Sequence, residues 1–198
     1  MRVMSAASEE CAAFLRALRE RGRAPDPAVE AAVRAILDDV RERGDAAVLA
    51  HTERLDGVRL DALALRVTEA ECDAALASLD PRVREALALA AERIGAFHAR
   101  QRRESWFTEE AGTGVLGQLV RPLRRVGLYV PGGSAAYPSS VLMNAIPARV
   151  AGVTEVVMCT PVGSGRDVAP AVLAAPRLAG VREIYRIGGA QAVVAMAV

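Results

Sequence analysis

The sequence predicts an α/β fold, with a helical lead-in over residues 1–104 followed by a parallel βαβ region over residues 105–198. Three observations predict it. Apolar residues recur every three to four positions through the first half, the period of one helix face. From Arg125 onward, short apolar runs alternate with helix-length segments, the pattern of parallel strands joined by right-handed crossovers and covered on both faces. A glycine-rich turn, Pro131-Gly132-Gly133, joins the first of those strands to its helix.

In the first half, Phe14, Leu15 and Leu18 give Glu9–Arg21 an apolar face, with Gly22 and Pro25 as stop signals. Asp26 is a cap and Pro27 a first helical residue for the next helix, on which Val29, Val33, Ile36, Leu37 and Val40 form one stripe. Gly44-Asp45 restarts a helix through Leu55, and Asp56-Gly57 is a turn. Leu63–Val67 reads as a short strand. Thr68 followed by Glu71 is a capping box for a helix to Leu79, and Asp80-Pro81 opens a longer helix to Arg103. Trp106-Phe107 reads as a packing element where the halves meet.

In the second half, strands are predicted at Val115–Val120 and Arg125–Val130, separated by a turn at Pro122, then at Glu155–Thr160 and Glu183–Ile187. Helices are predicted at Ser139–Ala151, Val168–Ala179 and from Ala190 onward, with Pro147 and Pro176 inside two of them. The chain reaches Val198 within an apolar helix without a stop signal, so the fold is expected to be incomplete at its C-terminus.

Composition narrows the function classes. Lys+Arg number 25 against 24 Asp+Glu, a net charge of +1 with the signs interspersed, which gives no basic surface for nucleic acid. The three cysteines, Cys11, Cys72 and Cys159, form no CxxC pair and no disulfide framework. The first residues carry no secretory pattern and no run is long enough to span a membrane, so a cytoplasmic protein without a membrane partner is expected. His51 and His98 have no metal-ligand spacing to another His, Cys or carboxylate, and Cys159 reads as a small buried hydrophobe with nothing nearby in sequence to activate it as a nucleophile.

The stretch from Arg124 to Val153 carries the site signal. A strand delivers Pro131-Gly132-Gly133, and Ser139 and Ser140 stand as natural caps for the following helix. Free N–H groups at a helix start suit a phosphate or another anion, and such loops lie where open α/β sheets bind ligands. The loop is neither GxGxxG nor a Walker P-loop. The local residues alone leave two readings open, a ligand loop and a tight turn that needs glycine for its shape.

VGLYVPGGSAAYPSSVLMNAIPARVAGV and LAGVREIYRIGGAQAVVAMA resemble segments of the histidinol dehydrogenase family. FHARQRRESWF, LGQLVRPLRRVG and, more loosely, RGDAAVLAHTERLDGV fit the same family, so the resemblance runs from about Val29 to the end. Tyr137 and Pro176 depart from its usual residues.

The resemblance implies NAD bound by a Rossmann-like region of unusual type. The family's NAD-contacting Tyr and Gln match Tyr129 and Gln191, with Pro131, Gly132, Gly133, Ser139 and Ser140 as wall and phosphate-side contacts. Without the family, Tyr129 would read as a core tyrosine and Gln191 as a solvated residue at a helix end. The resemblance further implies oxidation of L-histidinol to L-histidine via L-histidinal, a zinc ion, a Glu–His proton-transfer pair and a homodimer. It places the zinc ligands and that pair beyond Val198, so this chain is expected to be an N-terminal, cofactor-side part with no catalytic or metal residue of its own. A catalytically inactive nucleotide-binding fragment is the alternative.

Overall fold

The computed structural model describes residues 3–20, 26–112, 114–132, 135–162 and 167–198. Gly22, Pro25 and Gly133 lie outside these residues. The lead-in consists of helices α1 (Glu9–Glu20), α2 (Pro27–Arg43), α3 (Asp45–Asp56), α4 (Ala62–Leu65), α5 (Glu69–Ser78) and α6 (Pro81–Ala99). An antiparallel hairpin follows, β1 (Trp106–Glu110) and β2 (Gly114–Gln118). Then come β3 (Arg125–Tyr129), α7 (Pro138–Val150), β4 (Glu155–Cys159), α8 (Pro170–Ala179), β5 (Glu183–Tyr185) and α9 (Gly189–Ala197).

The local signals act as the sequence predicts. The Asp26 carboxylate accepts the Ala28 N–H at 2.9 Å, ahead of Pro27 in the first turn of α2. At α5 the capping box is closed in both directions: the Glu71 N–H reaches Thr68 Oγ1, and the Thr68 N–H reaches Glu71 Oε2 at 2.8 Å. Helices α7 and α8 run through Pro147 and Pro176. Pro176 still accepts at its carbonyl, from the Val181 N–H at 2.9 Å.

Strands β3, β4 and β5 form one parallel sheet in that order, with Val126 beside Val156 and Met158 beside Ile184. Because side chains alternate along a strand, the sheet has two faces to cover. Val126, Leu128, Val156, Met158 and Ile184 point into a cluster closed by residues of α5, α6, α7 and α8, including Cys72, Leu142, Ile146 and Leu173. Cys159 and Tyr185 point the other way, toward Ile36 and Val40 of α2, Val48 of α3 and Val194 of α9. Helices of the first half thus contribute to both clusters. The expected α/β architecture, helices followed by a doubly covered parallel sheet, is what the chain forms.

Ion pairs fasten the lead-in to the sheet side. Arg186 pairs with Glu71 at the start of α5, and Arg177 on α8 reaches Glu69 at 3.0 Å and Asp73 at 2.6 Å. Both arginines are less exposed than their partners, so these pairs are worth more than freely solvated ones.

Four sequence readings need correcting. Leu63–Val67 is not a strand: the Asp61 carboxylate accepts the Ala64 N–H at 2.7 Å and caps the one-turn α4. Only a single antiparallel bridge, Arg66 to Tyr185, follows it, supported by Val67 N–H to the Ile184 carbonyl. On α2 the buried stripe is shorter than expected, since Ile36 and Val40 are buried while Val29 and Val33 are exposed. Helix α6 ends at Ala99, not Arg103. Trp106 and Phe107 are not interior packing residues. They lie on β1 with 53% and 65% exposure, in a hairpin whose partner strand is also exposed.

The central strand gives the most direct test of this core. Met158 is fully buried on β4. Met158→Ala is expected to lower the free energy of unfolding by about 2–5 kcal/mol, read from urea denaturation, whereas Phe107→Ala on the exposed hairpin should change it by less than about 0.5 kcal/mol.

Candidate functional site

The carboxyl ends of the strands bring Tyr129, Gly132 and the start of α9, which carries Gln191, together. Tyr129 ends β3 on the face that α9 covers, because Gly127, two residues earlier, looks onto Met196 of α9. Helix α9 crosses to the face opposite α7 and α8 and packs over β3 and β4. Its first turn thereby arrives beside Tyr129: the Gly189 N–H donates to the Tyr129 hydroxyl at 3.1 Å. Tyr129 is therefore no core tyrosine. It is 36% exposed, and its hydroxyl is tied to the start of a helix.

Gln191 is the third residue of α9 and has 0% exposure. Its Oε1 and Nε2 are both buried without a hydrogen-bond partner. The solvated helix-end reading is thereby overturned. A buried primary amide with both polar ends free is costly, and native proteins ordinarily supply such groups with partners.

The turn before α9 can only be glycine. Gly189 has φ +61°, and a Cβ there would stand 2.6 Å from Gln191 Oε1. At Gly188 a Cβ would stand 2.7 Å from Pro161 Cβ and 3.0 Å from Asp56 Oδ2. Pro161 is shared with the other glycine turn, since a Cβ on Gly132 would lie 2.9 Å from its Cγ. Gly132 is thus small because Pro161 approaches it closely, and it is not among the glycines with positive φ. The loops after β3, β4 and β5 therefore meet around Pro161.

Ser139 and Ser140 are not the caps of α7. Tyr137 is the N-cap, without a side-chain bond, and Pro138 takes the first helical position because its ring fixes a helical φ. The two serines fall in the first turn, Ser139 exposed and Ser140 half-buried. The Ser140 N–H is turned back to the Tyr137 carbonyl at 3.0 Å. Pro131 and Gly132 are exposed at the end of β3. The site of Gly133 falls outside the described residues.

Sequence reasoning missed Asp56 and Pro161. Asp56 was legible only as half of a turn, and no signal in the sequence links α3 to the start of α9.

The other reactive side chains are held elsewhere. Cys159 is buried on β4, and burial, helped by the negative charge of Glu183, pushes its thiol up to about 12. A thiol at that value stays protonated and is no nucleophile. His51 Nε2 lies 2.8 Å from Asp39 Oδ2. That carboxyl is held down to about 2, first by its hydrogen bond from Arg43 and further by His51. His98 Nδ1 pairs with Gln101 Oε1 at 2.6 Å. Among the described residues, no group of three or more His, Cys, Asp and Glu is placed to hold a metal ion. No helix among them is long and apolar enough to cross a membrane. A cavity of 670 Å³ on the α9 side of the sheet is lined by Asp45, Arg125, Glu183 and Met196, among others, but not by Tyr129 or Gln191. Its charged rim marks the amino end of the strands, where Arg125 bridges Glu155 at 3.0 Å and Glu183 at 2.8 Å.

A parallel sheet covered on both faces, with a polar set at its carboxyl edge, defines the class of α/β proteins that take ligands beyond the ends of their strands. Residues 19–198 match the histidinol dehydrogenase family model. The histidinol dehydrogenase of Syntrophotalea carbinolica is 54% identical over 197 residues, covering 100% of this chain and 46% of that protein. That of Rhizobium meliloti is 54% identical over 187 residues, covering 94% of this chain and 42% of that protein. The crystal structure of histidinol dehydrogenase from Elizabethkingia anophelis superposes with a TM-score of 0.79 at 33% identity, covering 88% of this chain and 39% of that one. The chain belongs to the histidinol dehydrogenase family and spans less than half the length of these relatives.

Two outcomes test this geometry. Gly188→Ala should destabilise the protein by about 1–3 kcal/mol through overpacking against Pro161 and Asp56, seen as a lower thermal midpoint. In the native protein, a thiol reagent should modify the partly exposed Cys11 first and leave Cys72 and Cys159 unmodified until the chain unfolds, counted by mass spectrometry.

Proposed function

We propose that this chain is the cofactor-side portion of a cytoplasmic, NAD-dependent oxidoreductase that converts L-histidinol to L-histidine via L-histidinal, in the last steps of histidine biosynthesis. The observation that carries the reading is Gln191, a buried amide with both ends unpaired, two residues beyond the contact between Tyr129 and Gly189. Membership of the histidinol dehydrogenase family supports histidinol as the substrate and NAD as the cofactor in this reading.

The residues present fit NAD. The Tyr129 hydroxyl accepts from Gly189 and keeps its own proton to donate to a ligand. Gln191 offers one acceptor and two donor hydrogens in a dry setting, which suits a carboxamide or hydroxyl group. Pro131 and Gly132, exposed just past the end of β3, offer a wall without long side chains, and the family resemblance adds Gly133 to that set. Ser139 and Ser140 stand in the first turn of α7, where backbone N–H groups and the helix dipole favour a phosphate. Bound NAD supplies a hydride acceptor. In this reading residues 105–198 carry the whole cofactor set, and residues 1–104 form the helical cover.

Zinc does not fit the described residues, which hold no metal cluster. Zinc, the acid–base pair and a homodimeric assembly therefore belong to the reading only through the family resemblance. A second reading, a nucleotide-binding piece that turns nothing over by itself, is favoured by the same observation and by the local pairing of both histidines. Neither reading involves nucleic acid or a membrane.

Calorimetric titration of the chain with NAD tests the proposal. Saturable binding is expected, weakened about tenfold by Gln191→Ala and to a similar degree by Tyr129→Phe, as the loss of a buried hydrogen bond predicts. NADH should not form when L-histidinol is added to this chain alone. Absence of saturable NAD binding, or indifference to both substitutions, would overturn the cofactor reading. NADH formation by this chain alone would overturn the placing of zinc and the acid–base pair outside it.

A further inference from the structure

Four buried polar atoms among the described residues lack a hydrogen-bond partner: Oε1 and Nε2 of Gln191, Thr52 Oγ1 and Asp56 Oδ2. Gln191 belongs to the proposed cofactor set, but Thr52 and Asp56 do not. Both lie on α3, one turn apart and so on one face, and α3 packs against α9.

Asp56 reaches the turn that starts α9. Its Oδ2 and Oδ1 lie 3.0 Å and 3.2 Å from the point where a Cβ would stand on Gly188. Burial pushes the Asp56 carboxyl above the ordinary aspartate value, and the neighbouring Gly188 N–H works against that rise. Helix α9 needs such a group. Its N-cap is Gly188, it has no side-chain cap, and it has no acidic residue in its first turn. A helix start leaves N–H groups unpaired and carries partial positive charge, which a nearby carboxylate complements. A capping side chain on residue 188 itself is ruled out, because Pro161 and Asp56 occupy the space.

We infer that Asp56 is a positioning residue that caps α9 from outside: its carboxylate, brought by α3, holds the Gly188-Gly189 turn so that the Gly189 N–H meets Tyr129 and the Gln191 amide stays presented to the ligand. The inference rests on the NAD reading for its functional consequence, but the cap itself is independent of any ligand. It also gives the Asp56-Gly57 turn a purpose. Gly57, with φ +68°, ends α3 immediately after Asp56, so the carboxylate stands at the helix end that faces α9.

The test uses the whole chain with Asp56→Ala and Asp56→Asn, and reads amide hydrogen exchange by mass spectrometry alongside calorimetric NAD binding. Exchange is expected to quicken over residues 186–192 in Asp56→Ala while α2 and α5 keep wild-type protection. NAD binding should weaken roughly twofold to fivefold, the range that loss of a charge at a helix start gives. Asp56→Asn, which keeps an acceptor but not the charge, should lie between wild type and Asp56→Ala. If Asp56 acts through Gln191, Asp56→Ala in a Gln191→Ala background should weaken binding less than in the wild type.

Unchanged exchange over residues 186–192 in both variants overturns the inference, as does a fully additive double variant. If Asp56→Ala does not fold, Asp56→Asn decides by the same two readouts. Should the wild-type chain fail to bind NAD, the cofactor reading falls, and the exchange measurement alone still decides whether Asp56 caps α9.

Discussion

A parallel sheet of three strands has two apolar faces, and each must be covered before the sheet is stable. That requirement places nearly every helix of this chain. Met158, Val156 and Ile184 look into one cluster and Cys159 and Tyr185 into the other, so β4, the central strand, is enclosed on both sides. The crossover helices α7 and α8 cover one face from the sequence that joins the strands. They do not suffice, and α5 and α6 complete that layer. The opposite face is covered by α9 together with α2 and α3. The helical first half is therefore part of the core that holds the sheet.

The same arrangement builds the candidate site. Covering the second face requires α9 to cross over the sheet, and the crossing carries its first turn to the carboxyl ends of β3 and β4. Tyr129, Pro161 and the Gly188-Gly189 turn then meet within hydrogen-bond or van der Waals distance. Burying α9 also buries Gln191 and leaves its amide without a protein partner. Unmet polar groups at that edge are the expected mark of a place kept for a ligand, since a core without such a role would fill the position with an apolar side chain. The large cavity at the amino end of the strands has a different character. Its Arg125 and Glu183 already pair with each other.

Where the controlling forces are local, the sequence was readable. Asp26 with Pro27, and Thr68 with Glu71, determine their helix starts within a few residues, and both caps form as read. The strand–helix alternation after Arg125 was readable because β4, buried from Val156 to Cys159, is a continuous apolar run. Leu63–Val67 misled because its apolar content fits a strand, while the Asp61 cap turns it into a helix and leaves one bridge to β5. Strand β1 carries Thr108, Glu109 and Glu110 after its two aromatics, so it shows no alternation, and only pairing with β2 makes it a strand. Tyr129 and Gln191 were identified by resemblance. Their geometry, and the approach of Asp56, arise from the packing of α3 on α9, which leaves no trace in either segment.

The most direct measurement is a map of where NAD meets this chain, taken from backbone amide shifts of the isotopically labelled protein as the dinucleotide is added. The largest changes are expected at Gly132, Ser139, Gly188, Gly189 and Gln191, with Asp45, Arg125 and Glu183 around the amino-end cavity unmoved. Changes centred on that cavity, with the turn before α9 silent, would contradict a cofactor site at the carboxyl edge.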